Sequence, residues 1–136
     1  MIIRSEQMIY DGERYTEPAC VLDTALSKIT VINPNTLESK VTQFHTESVQ
    51  DHLRYVADYH PERLQKLVDE GKIIEYLDKL ETQAREAVER QVAKWKKSDK
   101  EYQAAVLAGD TGKAFRLENG LKVMAMDTIR DTIINV

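Results

Sequence analysis

KIIEYLDKLETQAREAVERQVAKWKK, from Lys72 to Lys97, reads as one amphipathic helix. Ile73, Leu77, Leu80, Ala84, Val88, Val92 and Trp95 recur at steps of three and four, the spacing of a single helical face. No Pro or Gly interrupts the run, and the other positions are mostly Glu, Lys, Arg and Gln, all good helix formers. Glu75–Lys79, Glu81–Arg85 and Glu86–Arg90 stand four apart with the acid first, the favourable order on an exposed face. Such a helix spans roughly 39 Å, about the full width of a compact chain of this length. Val88, Val92 and Trp95, in its last third, therefore need cover. The expectation is a C-terminal helix returning antiparallel, with Leu117, Leu121 and Met124 against it, together with a two-fold dimer burying what remains.

Working outward, Gly71 stops the preceding element, PERLQKLVDEG, a short helix with Pro61 in its first turn and Leu64, Leu67 and Val68 inward. Before it, Thr46 or Ser48 can cap a helix that buries Val49, Leu53, Val56 and Ala57 and breaks at His60-Pro61. After the long helix, Ser98-Asp99 can cap KEYQAAVLAG, which Gly109 closes. Asp110 or Thr111 can cap a last helix toward Val136, with Ala114, Leu117, Leu121 and Met124 as its stripe and Ile129 and Ile133 on the adjoining row. Asn119-Gly120 is the place where that helix could break in two.

Residues 1–45 have a different texture. MIYDGERYT reads as a hairpin about Asp11-Gly12, with Pro18 ending its second strand. Ala19 to Leu26 fits either a strand or a short helix. Lys28 to Asn33 and Ser39 to Phe44 alternate in polarity around Pro34-Asn35 and form a second hairpin. The predicted fold is α+β and mainly helical: a small antiparallel sheet of two hairpins in 1–45, packed on a helical bundle in 46–136, within a single domain 1–136.

The chain has 136 residues, 42% hydrophobic and 31% charged, with a net charge of −4. That composition suits one core and a charged surface. No apolar run approaches the roughly 20 residues of a membrane-spanning helix, and the start lacks a signal-peptide core. The expectation is a cytoplasmic protein without a membrane partner. Cys20 is the only cysteine, so no internal disulfide can form, and it reads as a small buried apolar residue. The acidic balance argues mildly against a nucleic-acid backbone and permits a basic protein surface as partner.

Several clusters invite chemistry. His45, Asp51, His52 and His60 lack metal-ligand spacing and read as surface or capping residues. Lys94, Trp95, Lys96, Lys97 and Lys100, with Tyr102, form a small basic patch with an aromatic platform. Cations at a helix C-terminus explain the same residues without nucleic acid. Arg85, Arg116 and Arg130 could meet phosphates if a pocket brought them together. Asp69, Glu70, Glu75 and Asp78 form a candidate acidic face for a partner. No dinucleotide, P-loop, nucleophile-elbow or deaminase signature is present. Neither a catalytic residue nor a cofactor nor a metal is expected.

From His52 the run HLRYVADYHPERLQKLVDEGKIIEYLDKLETQARE resembles the TnpV family of transposon-encoded proteins, at Tyr55, Tyr59, Leu64, Leu67, Gly71-Lys72, Tyr76-Leu77 and Gln83-Ala84. Gly12, Tyr15-Thr16-Glu17 and Met126 to Arg130 are similar to the family's front and tail, while 26–45 and 98–120 depart from it. The resemblance implies a gene of a bacterial mobile element and carries over no catalytic residue. The resulting expectation is a non-enzymatic accessory protein of a phage or transposon. It would bind a host or element protein and inhibit or regulate a nucleic-acid enzyme or defence system, as anti-CRISPR proteins do. The alternatives are an excisionase-like DNA-binding factor and a module that sequesters a nucleotide signal.

Overall fold

The computed structural model describes residues 1–136. Six strands precede five helices: β1 (Ile2–Arg4), β2 (Met8–Tyr10), β3 (Tyr15–Pro18), β4 (Cys20–Asp23), β5 (Lys28–Ile32), β6 (Ser39–Gln43), α1 (Glu47–Tyr59), α2 (Pro61–Asp69), α3 (Ile73–Ser98), α4 (Lys100–Leu107) and α5 (Thr111–Ile129). A π-helical turn, Arg130–Ile134, follows α5. The fold is α+β. No helix is long and apolar enough to cross a membrane. Two compact units divide the chain, 1–81 with 134–136 and 82–133, and the division falls inside α3.

In the first unit the main sheet is antiparallel with order β1-β4-β5-β6, and β2 and β3 form a separate pair. Both predicted hairpins are present, and Cys20–Asp23 resolves the ambiguous segment as a strand. The N-terminal residues Ile2–Arg4 join the sheet beside β4, a long-range pairing with no local signal. β1 and β2 together run against β3 and β4 as one long hairpin that is broken in the middle. Ile2 pairs with Asp23 and Arg4 with Val21, and the ladder resumes with Met8 opposite Pro18. Ser5 holds the break: its Oγ donates to the Gln7 carbonyl at 2.9 Å and accepts the Cys20 N–H at 3.0 Å. The row Ile3–Leu22–Ile29 lies across the sheet, buried throughout, and α2 packs on β1 and β4.

At the β5–β6 turn, Asn33 Oδ1 accepts the backbone N–H groups of Asn35 and Thr36, so a polar side chain nucleates the turn. Val49, Leu53, Val56 and Ala57 are buried on α1 as their spacing predicts. Thr46 occupies the capping position just before α1, yet its hydroxyl makes no cap bond and donates instead to Glu81 Oε2 at 2.8 Å. Gly71 adopts φ +68, the left-handed conformation that lets α2 end at Asp69 and α3 begin at Ile73 with only three residues between them.

In the second unit α3 and α5 form an antiparallel helical hairpin. Val92, Leu121 and Ala125 make its buried centre, with Val88 and Trp95 packed against it. Lys96 meets Glu118 at 2.6 Å further along the same pair. Asp99 and Asp110 cap α4 and α5, accepting the N–H groups of Tyr102 and Lys113. Asn119-Gly120 does not break α5. Gly120 costs about 1 kcal/mol against Ala there, which four or more turns of flanking helix absorb. One expectation fails: Met124 is 56% exposed. The buried row steps by fours through Leu121, Ala125 and Ile129, and Met124 stands on a neighbouring row.

Candidate functional site

The break in the long hairpin leaves the Glu6 N–H without a strand partner. Asp69, at the end of α2, supplies one: its Oδ1 accepts the Glu6 N–H at 2.9 Å and the Gln65 Nε2 at 2.9 Å. Gln65 in turn donates to the Arg4 carbonyl at 2.8 Å. Two side chains of α2 thus fasten the bend of the hairpin, where an unpaired backbone donor would otherwise be left to water. Asp69→Ala is expected to lower the free energy of unfolding by about 1–2 kcal/mol and Asp69→Asn by less, because the amide oxygen still accepts. Urea unfolding midpoints of the two variants would order them.

A cleft of about 230 Å³ lies beside this fastening, entirely within the first unit. Ile9, Cys20, Val68 and Ile73 line it and are buried, Val31, Ile32 and Ile74 line it and are partly exposed, and Asp69 and Glu70 stand on its edge. No lysine or arginine lines it; Lys72, close by, approaches Glu70 at 3.8 Å. Burial raises the pKa of the Cys20 thiol, so this sulfur is apolar lining rather than a nucleophile. The volume lies below the roughly 300–1,000 Å³ of small-molecule sites and suits one or two side chains of a protein segment. A larger hollow of about 480 Å³ is lined by Thr24, Ser27, Gln50, Arg54 and Asp58, among others. Its one cationic side chain, Arg54, is 74% exposed and faces Asp51 at 3.5 Å, which does not build a phosphate site.

Of the acidic residues singled out in the sequence, the cleft brings Asp69 and Glu70 together. Glu75 is paired with Lys79 at 3.3 Å on the exposed side of α3, and Asp78 is exposed. The basic patch is smaller than its sequence suggests. Lys94, Lys97 and Lys100 are exposed, but Lys96 bonds Glu118 and sits 5.4 Å from the Tyr102 ring centroid. The Glu118 carboxylate holds the Lys96 ammonium above its usual pKa, and Lys96 holds Glu118 below its own. Trp95 is half-buried against Val92, Leu121 and Ala125, so its ring is packing rather than a platform for bases. Arg85 and Arg116 are exposed on different helices, and Arg130 approaches Asp127 at 3.6 Å. Arg116 and Arg130 lie about 21 Å apart along the helix axis, too far to share a phosphate.

His52 departs from the surface role its sequence context suggested. It is 1% exposed. Nδ1 lies 2.5 Å from the Ile134 carbonyl oxygen and Nε2 lies 2.7 Å from the Tyr76 hydroxyl. A carbonyl only accepts, so Nδ1 carries the proton and the neutral ring accepts the Tyr76 O–H at Nε2. Arg63 donates to Tyr76 Oη at 3.3 Å and to the Val136 carbonyl at 2.7 Å. The network ties Ile134 and Val136 to α1, α2 and α3. The signal was available: Val49, His52, Leu53 and Val56 share one helical face. His45 is exposed, and His60 faces Glu62 at 3.7 Å. No group of three or more His, Cys, Asp and Glu side chains is placed to hold a metal ion.

Comparison with known protein families, with curated proteins and with solved structures finds no match. The cleft with its acidic edge is the arrangement on which a functional reading rests.

Proposed function

We propose that this chain is a non-enzymatic binding protein that takes a basic segment of a partner protein into the cleft between the bent hairpin and the α2–α3 turn. The observation that carries the reading is an apolar cleft of side-chain size edged by Asp69 and Glu70 without a lining cation. An apolar anchor of the partner fills such a cleft, and a neighbouring lysine or arginine meets the carboxylates. In the mobile-element setting that the TnpV resemblance implies, the partner is a nucleic-acid enzyme or defence protein of the host or the element. Such enzymes display basic surfaces, and occupancy alone inhibits them. The cleft supports this reading over nucleotide sequestration by its volume. The loss of Lys96 and Trp95 from the basic patch supports it over an excisionase-like role.

The test uses short peptides carrying one Leu or Phe flanked by Lys or Arg. Methyl resonances of Ile9, Val31, Ile32 and Ile74 are expected to shift on titration, with affinity falling as salt rises. Val31→Asp is expected to abolish the shifts at the other three. Peptides that leave all four methyls unmoved at about 1 mM, a concentration that detects even weak association, would overturn the proposal.

A further inference from the structure

The outer face of α5 is unlike an ordinary solvated helix surface. Arg116, Gly120, Val123 and Asp127 succeed one another at steps of four, three and four, which places them on one face, and all four are exposed. Val123 is 65% exposed and Met124 beside it 56%. Gly120 has no neighbour within 4 Å of where a Cβ would stand and an ordinary helical φ. Neither packing nor backbone conformation within the chain requires a glycine there. A glycine on an open helix face admits the close approach of something outside the chain, since the distance between two helix axes depends on the side chains between them.

The row is complementary to itself. Reversed about the midpoint between Leu121 and Lys122, it sets Gly120 opposite Val123, Asn119 opposite Met124 and Arg116 opposite Asp127. Arg116 makes no ion pair within the chain, and Asp127 has only the 3.6 Å approach of Arg130 along its own helix. We propose that this face binds a second copy of the chain, with the two α5 helices antiparallel about a two-fold axis. Each Val123 packs into the gap left by the other copy's Gly120, and two Arg116–Asp127 pairs close the ends. A two-fold interface repeats each contact, so one self-complementary row supplies both halves.

Light scattering on the full chain is expected to give twice the 15.6 kDa chain mass at about 100 µM, within reach of weak association. Arg116→Asp and Asp127→Arg each set like charges opposite one another twice and are expected to weaken self-association at least about tenfold. Mixed in equal amounts, these two variants meet through two opposite-charge pairs, and the dimer mass returns. A parallel or unrelated interface does not predict that recovery. Gly120→Leu, at a position open within the chain, is expected to keep native helicity by circular dichroism and lose the dimer. A monomer mass for the unaltered chain, single variants that remain dimers, or a mixture that remains monomeric would each overturn the proposal.

Discussion

Leu77→Ala is expected to lower the free energy of unfolding by about 2–5 kcal/mol, the range for truncating a buried leucine in a close-packed core. Leu77 is fully buried, on the part of α3 that belongs to the first unit, and Ile73 and Leu80 on the same face are buried with it. The loss combines the transfer of three carbons' worth of apolar surface to water with the cavity left where neighbours cannot collapse. Two residues along, Lys79→Ala removes only a surface pair with Glu75 in which both side chains are more than two-thirds exposed. That change is expected to cost less than about 0.5 kcal/mol. Urea denaturation of the two variants compares them directly. A Leu77→Ala loss as small as the Lys79→Ala loss would mean that this stripe is not the core of the first unit.

The stripe containing Leu77 was legible because helical burial imprints a local period, and the same holds for both hairpins, whose turns sit between alternating strands. The pairing of Ile2–Arg4 with β4 was not, because strand partnership across nearly twenty residues leaves no mark on either strand. Met124 misled because it stands next to the true row: an apolar residue one position from Ala125 satisfies a loose period without being buried. The candidate site was half legible. Asp69 and Glu70 stood out as charges, but the apolar cleft they edge is assembled from strands, a turn and two helices, and only the fold brings these together. Lys96 and Trp95 looked like a free patch because neither Glu118 nor Leu121 is near them in sequence. His52 is the clearest case of a pattern present but overridden by residue type. Its position matched a buried face, and a histidine there is tolerated only because both ring nitrogens find partners.

That satisfaction makes His52 costly to remove. His52→Ala is expected to lower the free energy of unfolding by about 3–5 kcal/mol, combining a ring-sized cavity with a buried carbonyl left unpaired at Ile134. His52→Gln, which can still donate and accept, is expected to cost less. Burial lowers the pKa of this imidazole, the hydrogen bond to the Ile134 carbonyl opposes that shift, and the nearby Arg63 guanidinium adds to it. The folded chain therefore binds the proton less readily than the unfolded chain. Above the ordinary value of 6.5 both states are neutral and the full stability is present. As pH falls through 6.5 the unfolded chain takes up the proton first, so stability declines until the lowered folded value is passed. Protonation also obliges Tyr76 Oη to accept from His52 and Arg63 at once, turning its own hydrogen away from the ring. Melting temperatures between pH 8 and pH 5 are expected to drop more for the unaltered chain than for His52→Gln, which carries no titrating ring. Parallel pH profiles for the two proteins would mean that acid destabilisation arises at other groups, and that the His52–Ile134 bond is not the pH-sensitive fastening of the C-terminal residues.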